Sequence, residues 1–289
     1  MEPACVSIEV PGGTLSCHIM GEGPPIVMLH GGPGMTHDYL VQGLKRLAES
    51  YTLFFFDQRG CGLSRDETMT SETVNLATYV QDIEVLRAHF GLEKIMVLGH
   101  SWGGFLAMHY AATYPERVEK LILVGPLPMS YEGCVAFEAE CVKRLASYQK
   151  ELEMVSMSPT YAAGEPEVVE QYYRILFRIY FHNAKRVQEL ELHVRDRETV
   201  MRWRTVEEIF TKTFFAEPFD VHHNLKNITA RTLFVHGDFD PIVPTFVETM
   251  SRLVANSEYV LIKKCGHFPW LEQPRAFFAA VLTFLKKGD

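Results

Sequence analysis

Ser101 stands in Gly99-His100-Ser101-Trp102-Gly103-Gly104, directly after the apolar run Ile95 to Leu98 and before a helix-compatible run from Phe105 to Tyr114. This is G-x-S-x-G between a strand and a helix, where glycines permit a sharp turn that lifts a serine hydroxyl clear of a sheet. A hydroxyl attacks a carbonyl only when a base takes its proton, and the base needs an acid to hold its tautomer. The tail of the chain offers both. After the apolar run Thr232 to Val235 comes His236-Gly237-Asp238-Phe239-Asp240-Pro241, and twenty-seven residues past Asp240 stands His267 in Cys265-Gly266-His267-Phe268. Of the twelve histidines His267 alone follows His236. For the order serine, acid, histidine, the base is therefore His267 and the acid Asp238 or Asp240. Singly, a serine before a helix is a cap and an aspartate after a strand is a turn residue. Jointly, at the ends of successive strands, they point to nucleophilic acyl transfer.

Such a reaction also needs donors for the oxyanion that forms. His30-Gly31-Gly32-Pro33-Gly34 follows the run Ile26 to Leu29, and a glycine-rich turn there can aim a backbone N–H at the carbonyl oxygen above Ser101. Gly32 is the expected first donor and the Trp102 N–H the second. Other chemistries lack their residues. His222 and His223 are adjacent, so their side chains diverge in regular structure, and no third metal ligand is spaced to join them. No glycine-rich phosphate loop follows a strand. Neither a metal nor a cofactor is expected.

The elements that must position these residues are visible as apolar runs: Ile26 to Leu29, Tyr51 to Phe56, Ile95 to Leu98, Leu121 to Val124, Thr232 to Val235 and Tyr259 to Ile262. They do not alternate, which suits a parallel sheet buried on both faces, and helical stretches separate them. Val6 to Val10 and Leu15 to Met20 flank Pro11-Gly12-Gly13, the chemistry of an antiparallel hairpin at the sheet edge. The rhythm stops between Val124 and Arg231. There Phe137, Cys141, Leu145, Tyr148, Leu152 and Val155 recur at helical steps, and Val169, Tyr172, Tyr173, Leu176, Phe177 and Tyr180 do so after Pro166. The expected organisation is an α/β core in residues 1–128 and 217–289 with a helical insertion at 129–216, whose apolar stripes pack onto the core.

Composition narrows the partners. Hydrophobic residues make up 47% of the 289 and charged residues 22%, enough apolar material for a sizeable core. The net charge of −8 and the absence of a basic run argue against nucleic acid and anionic membrane surfaces as partners. Met1-Glu2-Pro3-Ala4-Cys5 has neither a basic nor an apolar leader segment, and no apolar stretch is long enough to span a bilayer. The six scattered cysteines read as reduced thiols, and a cytoplasmic protein is expected.

Nearly the whole chain resembles the α/β-hydrolase superfamily. His30 to Gly34, Asp57-Gln58-Arg59-Gly60-Cys61-Gly62-Leu63-Ser64 and Ser101 to Gly104 look like the prolyl iminopeptidase group. The resemblance implies Ser101 as nucleophile, Asp240 as acid, His267 as base, and a loop carrying Asp57 and Arg59 that braces the site. It implies an aminopeptidase or amidase acting on short peptides or other small molecules. Epoxide hydrolases and haloalkane dehalogenases share the fold but carry an aspartate where Ser101 stands. Some aminopeptidases of the group place a glutamate directly after the acid and another near the end of the cap, together holding the substrate's free α-amine. Here the first position is Pro241, while Glu207 and Glu208 stand near the end of the insertion. The leading expectation is a serine hydrolase that releases an N-terminal residue, proline by analogy. A carboxylesterase or lactonase with the same triad is the second, and a catalytically silent small-molecule receptor the third.

Overall fold

The apolar runs become the strands of one sheet. In the computed structural model, which describes residues 4–287, these are β1 (Ala4–Val10), β2 (Gly13–Met20), β3 (Pro25–Leu29), β4 (Thr52–Phe56), β5 (Arg65–Asp66), β6 (Ile95–His100), β7 (Val118–Val124), β8 (Arg231–Gly237) and β9 (Ser257–Ile262). The strand order is β1-β2-β4-β3-β6-β7-β8-β9, with the short β5 beside β2. From β4 to β9 every pairing is parallel, while β1–β2 and β2–β4 are antiparallel. This is the α/β-hydrolase architecture with a mixed edge.

Helices cover both faces, which is why the inner strands carry apolar residues without alternation. Val27, Leu29, Val97, Leu121, Leu123 and Phe234 face the helices Leu76–His89 and Trp102–Thr113. Their neighbours Met28, Met96, Leu98, Ile122 and Val235 point the other way, toward Asp38–Leu44 and Pro274–Lys286. All six residues of β6 are buried, so the strand that delivers Ser101 is the most enclosed part of the sheet.

Between β7 and β8 the chain leaves the sheet for a run of helices, among them Tyr131–Leu145, Gln149–Ser156, Pro166–Leu176 and Arg197–Lys212. The Ser130 hydroxyl and Asp196 carboxylate cap two of them by accepting from Gly133 N–H and Thr199 N–H, and Pro166 opens a third at its first position. The stripe from Phe137 to Val155 is split, one helix ending at Leu145 and the next starting at Gln149. The excursion is tied at its base. Val221 N–H donates to Met129 carbonyl (2.9 Å) and Tyr131 N–H to Phe219 carbonyl (2.7 Å), around a bridge between Ser130 and Asp220. The chain thus rejoins the core at Phe219 to Val221, a few residues past 216. No helix among the described residues is long and apolar enough to cross a membrane.

Candidate active site

Ser101 adopts φ 57° and ψ −121°, a left-handed backbone that is costly for a residue with a side chain. Its surroundings hold it there. Ser101 N–H donates to Val124 carbonyl at 3.0 Å, and its own carbonyl accepts from Gly104 and Phe105 at 2.9 and 3.2 Å. The turn is tight enough that a Cβ on Gly103 would lie 2.2 Å from Leu29 carbonyl oxygen, and one on Gly99 would lie 2.3 Å from the oxygen of Gly103. The two glycines of G-x-S-x-G are therefore steric requirements of the turn.

Ser101 and His267 line one cavity of about 150 Å³ at the carboxyl ends of the parallel strands, where sheets of this kind bind ligands. His267 Nδ1 lies 2.6 Å from Asp240 Oδ2, and Asp240 Oδ1 accepts from Ile242 N–H at 2.8 Å. Burial, the largest influence on the Asp240 carboxyl, pushes its pKa up, but His267, His236 and the Ile242 N–H together bring it below the usual carboxylate value. Asp240, held charged, can only accept, so His267 Nδ1 donates to it. Asp238 is exposed and turned away, accepting from Cys265 N–H at 3.3 Å with Lys263 Nζ at 3.8 Å. Gly125, at φ 50°, passes against the pair: a Cβ there would lie 2.9 Å from His267 Nδ1 and 3.0 Å from Asp240 Oδ2.

The Gly31–Gly32 turn reaches the same cavity beside Ser101. Gly31 N–H is taken by Tyr39 Oη at 2.6 Å. Within the described residues no hydrogen bond engages the N–H of Gly32 or of Trp102, the first residue of its helix. Gln58 ties the two donors' neighbourhoods together, giving its amide N–H to His30 carbonyl at 2.8 Å and accepting Trp102 Nε1–H at 2.8 Å. His30 is buried and neutral, its pKa pushed down to about 4 by burial.

Behind this turn Asp57 accepts from His37 Nδ1 at 2.7 Å and from the N–H groups of His37 and Leu63 at 3.1 and 2.8 Å. Arg59 is fully buried and forks onto Asp82 at 2.9 and 2.7 Å, with a third bond to Asp66 at 3.1 Å.

The helical excursion supplies the opposite wall with Tyr173, Leu176, Phe177, Tyr180, Trp203 and Glu207. Tyr173 and Trp203 stack at 4.3 Å between ring centres. Four residues of the stripe expected to pack onto the core, Tyr173, Leu176, Phe177 and Tyr180, do pack against it and also line the cavity, since an apolar stripe can meet both surfaces. Glu207 opens into the cavity with much of its surface still exposed to solvent, and the protein on its other sides raises its carboxyl pKa, against a smaller opposing pull from Arg204. Glu208 does not share the site. It points away from the cavity and pairs with Lys212 one turn on, because consecutive helix residues point about 100° apart.

The sequence profile of the alpha/beta hydrolase fold matches residues 24–274. The chain belongs to the α/β-hydrolase family. It is 28% identical over 291 residues to a proline iminopeptidase of Heyndrickxia coagulans, covering 96% of this chain and 97% of that one. It is 29% identical over 282 residues to a proline iminopeptidase of Clostridium botulinum, covering 93% and 92%. The crystal structure of a proline iminopeptidase from Mycobacterium smegmatis superposes with a TM-score of 0.71 at 21% identity, over 98% of this chain and 97% of that one.

For an α/β-hydrolase, the residues hardest to read in advance are those that shape the cavity. Tyr39, Gln58, His100 and Trp203 carry no spacing signal, because they come together from separate loops and helices around the site. Gln58 does lie inside a stretch that carries the resemblance, and His100 inside G-x-S-x-G.

Proposed function

We propose that this α/β-hydrolase is a serine hydrolase that removes an N-terminal residue, proline foremost, from short peptides or amides. The observation that carries the reading is the shared cavity: Ser101 at a strained elbow, and His267 with Asp240 at 2.6 Å behind it. Ser101 Oγ attacks the scissile carbonyl carbon while His267 Nε2 takes its proton. The carbonyl oxygen becomes an oxyanion that accepts from the free N–H groups of Gly32 and Trp102. His267 then returns the proton to the leaving amine as the C–N bond breaks, and water, activated by the same imidazole, hydrolyses the acyl-enzyme. Asp240 stays ionised throughout and steadies the imidazolium.

Residues 129–216 act in this reading as a cap that roofs the site and selects the substrate. A cavity of about 150 Å³ admits one small ring, comparable to the space that holds a benzene in other proteins. Glu207 is the carboxylate available to a protonated α-amine, which without one would be desolvated at a cost of several kcal/mol. The six unpaired cysteines fit a reducing compartment, and we assign the protein to the cytoplasm.

A carboxylesterase or lactonase is the second reading, favoured by Pro241 in the position where related aminopeptidases carry a glutamate. Three substrates separate the two: a prolyl arylamide, its N-acetylated form and a short-chain aryl ester. The aminopeptidase turns over the first and loses the second, while equal turnover of free and acetylated arylamide, or of the ester alone, hands the site to the esterase reading. Treatment with a fluorophosphonate followed by mass spectrometry should place the adduct on Ser101. An adduct elsewhere or none at all removes Ser101 as nucleophile, and none leaves a silent receptor.

A further inference from the structure

We propose that Tyr39 and His100 are positioning residues that tie the Gly31–Gly32 turn to the His267 loop through a buried relay of three hydrogen bonds. The inference rests on the reading of Gly32, Trp102, Ser101 and His267 given above.

The direction of each bond follows from the one before. The carbonyl of His267 can only accept, so His100 Nε2, 3.0 Å away, donates. A neutral imidazole protonated at Nε2 has only a lone pair at Nδ1, so the Tyr39 hydroxyl, 2.7 Å from it, donates in turn. The hydroxyl oxygen then accepts the Gly31 N–H at 2.6 Å. Burial holds the His100 imidazole well below its usual pKa, with His267 adding to the effect, so the neutral form required by this order is the one present. Both side chains are sealed, with 2% of His100 and 4% of Tyr39 exposed. Their rings are wedged in place, His100 against Trp270 at 4.8 Å and Tyr39 edge-on to Phe268 at 6.1 Å.

The relay spans the loops after β3, β6 and β9, the three that bring the oxyanion turn, Ser101 and His267 to the cavity. It also decides which donor is free: with Gly31 N–H consumed by Tyr39, Gly32 carries the next N–H of the turn. The coupling is short-range. A Cβ on Gly31 would lie 2.9 Å from Tyr39 Oη and 3.2 Å from Ser101 Cβ, so a shift of the tyrosine moves the turn directly against the nucleophile. The relay carries no charge and passes no proton during the reaction. It fixes where the donors stand before charge develops.

The test uses the full chain with Tyr39→Phe, His100→Leu, His100→Gln and the double variant Tyr39→Phe/His100→Leu, assayed on the prolyl arylamide and the aryl ester. Fluorophosphonate labelling of the unaltered protein comes first; failure to label Ser101 overturns the site reading and the relay with it. With Ser101 labelled, Tyr39→Phe should lower kcat about 10- to 100-fold on both substrates, somewhat less than loss of a whole oxyanion donor, with KM within about twofold. His100→Gln keeps one donor and one acceptor and should stay within about fivefold of full kcat. The double variant should be no worse than about threefold below the poorer single one, since both break the same chain. A Tyr39→Phe enzyme with kcat within twofold overturns the relay, as does a KM rise that matches the fall in kcat. A double-variant loss equal to the product of the single losses also overturns it. Should His100→Leu not fold, the kcat and KM of Tyr39→Phe, which removes one oxygen, decide alone.

Discussion

Asp240 with His267 and Asp57 with His37 make the same contact, carboxylate to Nδ1 at 2.6 and 2.7 Å, and both carboxylates are buried. They differ in what lies around the imidazole. His267 lines the cavity that Ser101 enters. His37 is covered: His18 stacks on its ring at 4.3 Å, and Asp38 lies 3.9 Å from its Nε2. Its pKa reflects this, for burial would lower it, yet Asp57 and then Asp38 leave it raised. Asp57 in turn is pulled down to about 2, burial being outweighed by His37, His30 and the Leu63 N–H. A carboxylate–imidazole pair thus supplies orientation and charge. Whether it serves chemistry or bracing depends on access to the far side of the ring.

Crossing the two pairs in a mutational test should separate those roles. The largest effect is expected for Asp240→Asn, which leaves His267 in the wrong tautomer and should lower kcat by about 10⁴-fold with a modest change in urea midpoint. Asp57→Asn should do the reverse, losing about 3–5 kcal/mol of stability in urea unfolding because a buried partner is left uncompensated, while folded enzyme keeps kcat within about tenfold. Equal kinetic losses from the two variants would erase the distinction drawn here.

That stability difference should itself depend on pH. Asp57, depressed from 3.8 to about 2, contributes fully above its ordinary value and loses its contribution as pH falls toward 2. His37, raised above 6.5, contributes fully below that value and loses its contribution as pH climbs through the raised one. The gap between the unaltered chain and Asp57→Asn should therefore be widest from pH 3.8 to 6.5 and narrow on both sides. A gap that is flat from pH 3 to 8 would refute a charged Asp57–His37 pair.

A smaller effect is expected at Glu207. Glu207→Gln should raise KM for a free-amine substrate about tenfold and leave the aryl ester unchanged, in line with one charged hydrogen bond. Because this carboxyl is raised by its surroundings, amine binding should begin to weaken at a higher pH on acidification than an ordinary glutamate would allow. The smallest is His18→Ala, which uncovers His37. It should cost about 1 kcal/mol or less in unfolding experiments and leave kcat unchanged. A larger kinetic effect would mean that the second pair is not mere bracing.

Much of the core was legible in the sequence because buried parallel strands need unbroken apolar runs, and because a turn after such a strand is where G-x-S-x-G has a steric meaning. Ser101 and His267 stood out for the same reason, each following a strand in a chain whose last histidine is His267. The cavity wall was not legible. The stripe through Tyr173 and Phe177 reads identically whether it covers a core or roofs a pocket, and Glu207 differs from Glu208 only by a rotation about the helix axis. The partners Gln58 and Tyr39 are single polar residues that acquire roles only through tertiary contact. The Asp238–Asp240 ambiguity needed coordinates too, since both residues lie in one turn and differ in which way each carboxylate faces.

The hydrogen that serves as the side chain of Gly125 has a further implication. A methyl group there would have to occupy the space where His267 meets Asp240, on a backbone that already disfavours it. A homologue with alanine at this position could keep every residue named in the acyl-transfer constellation and still hold its imidazole out of line. Inventories of active-site letters would score such a chain as competent. In this chain, then, the alignment of the imidazole with its carboxylate depends on a position that performs no chemistry and matters only by being small.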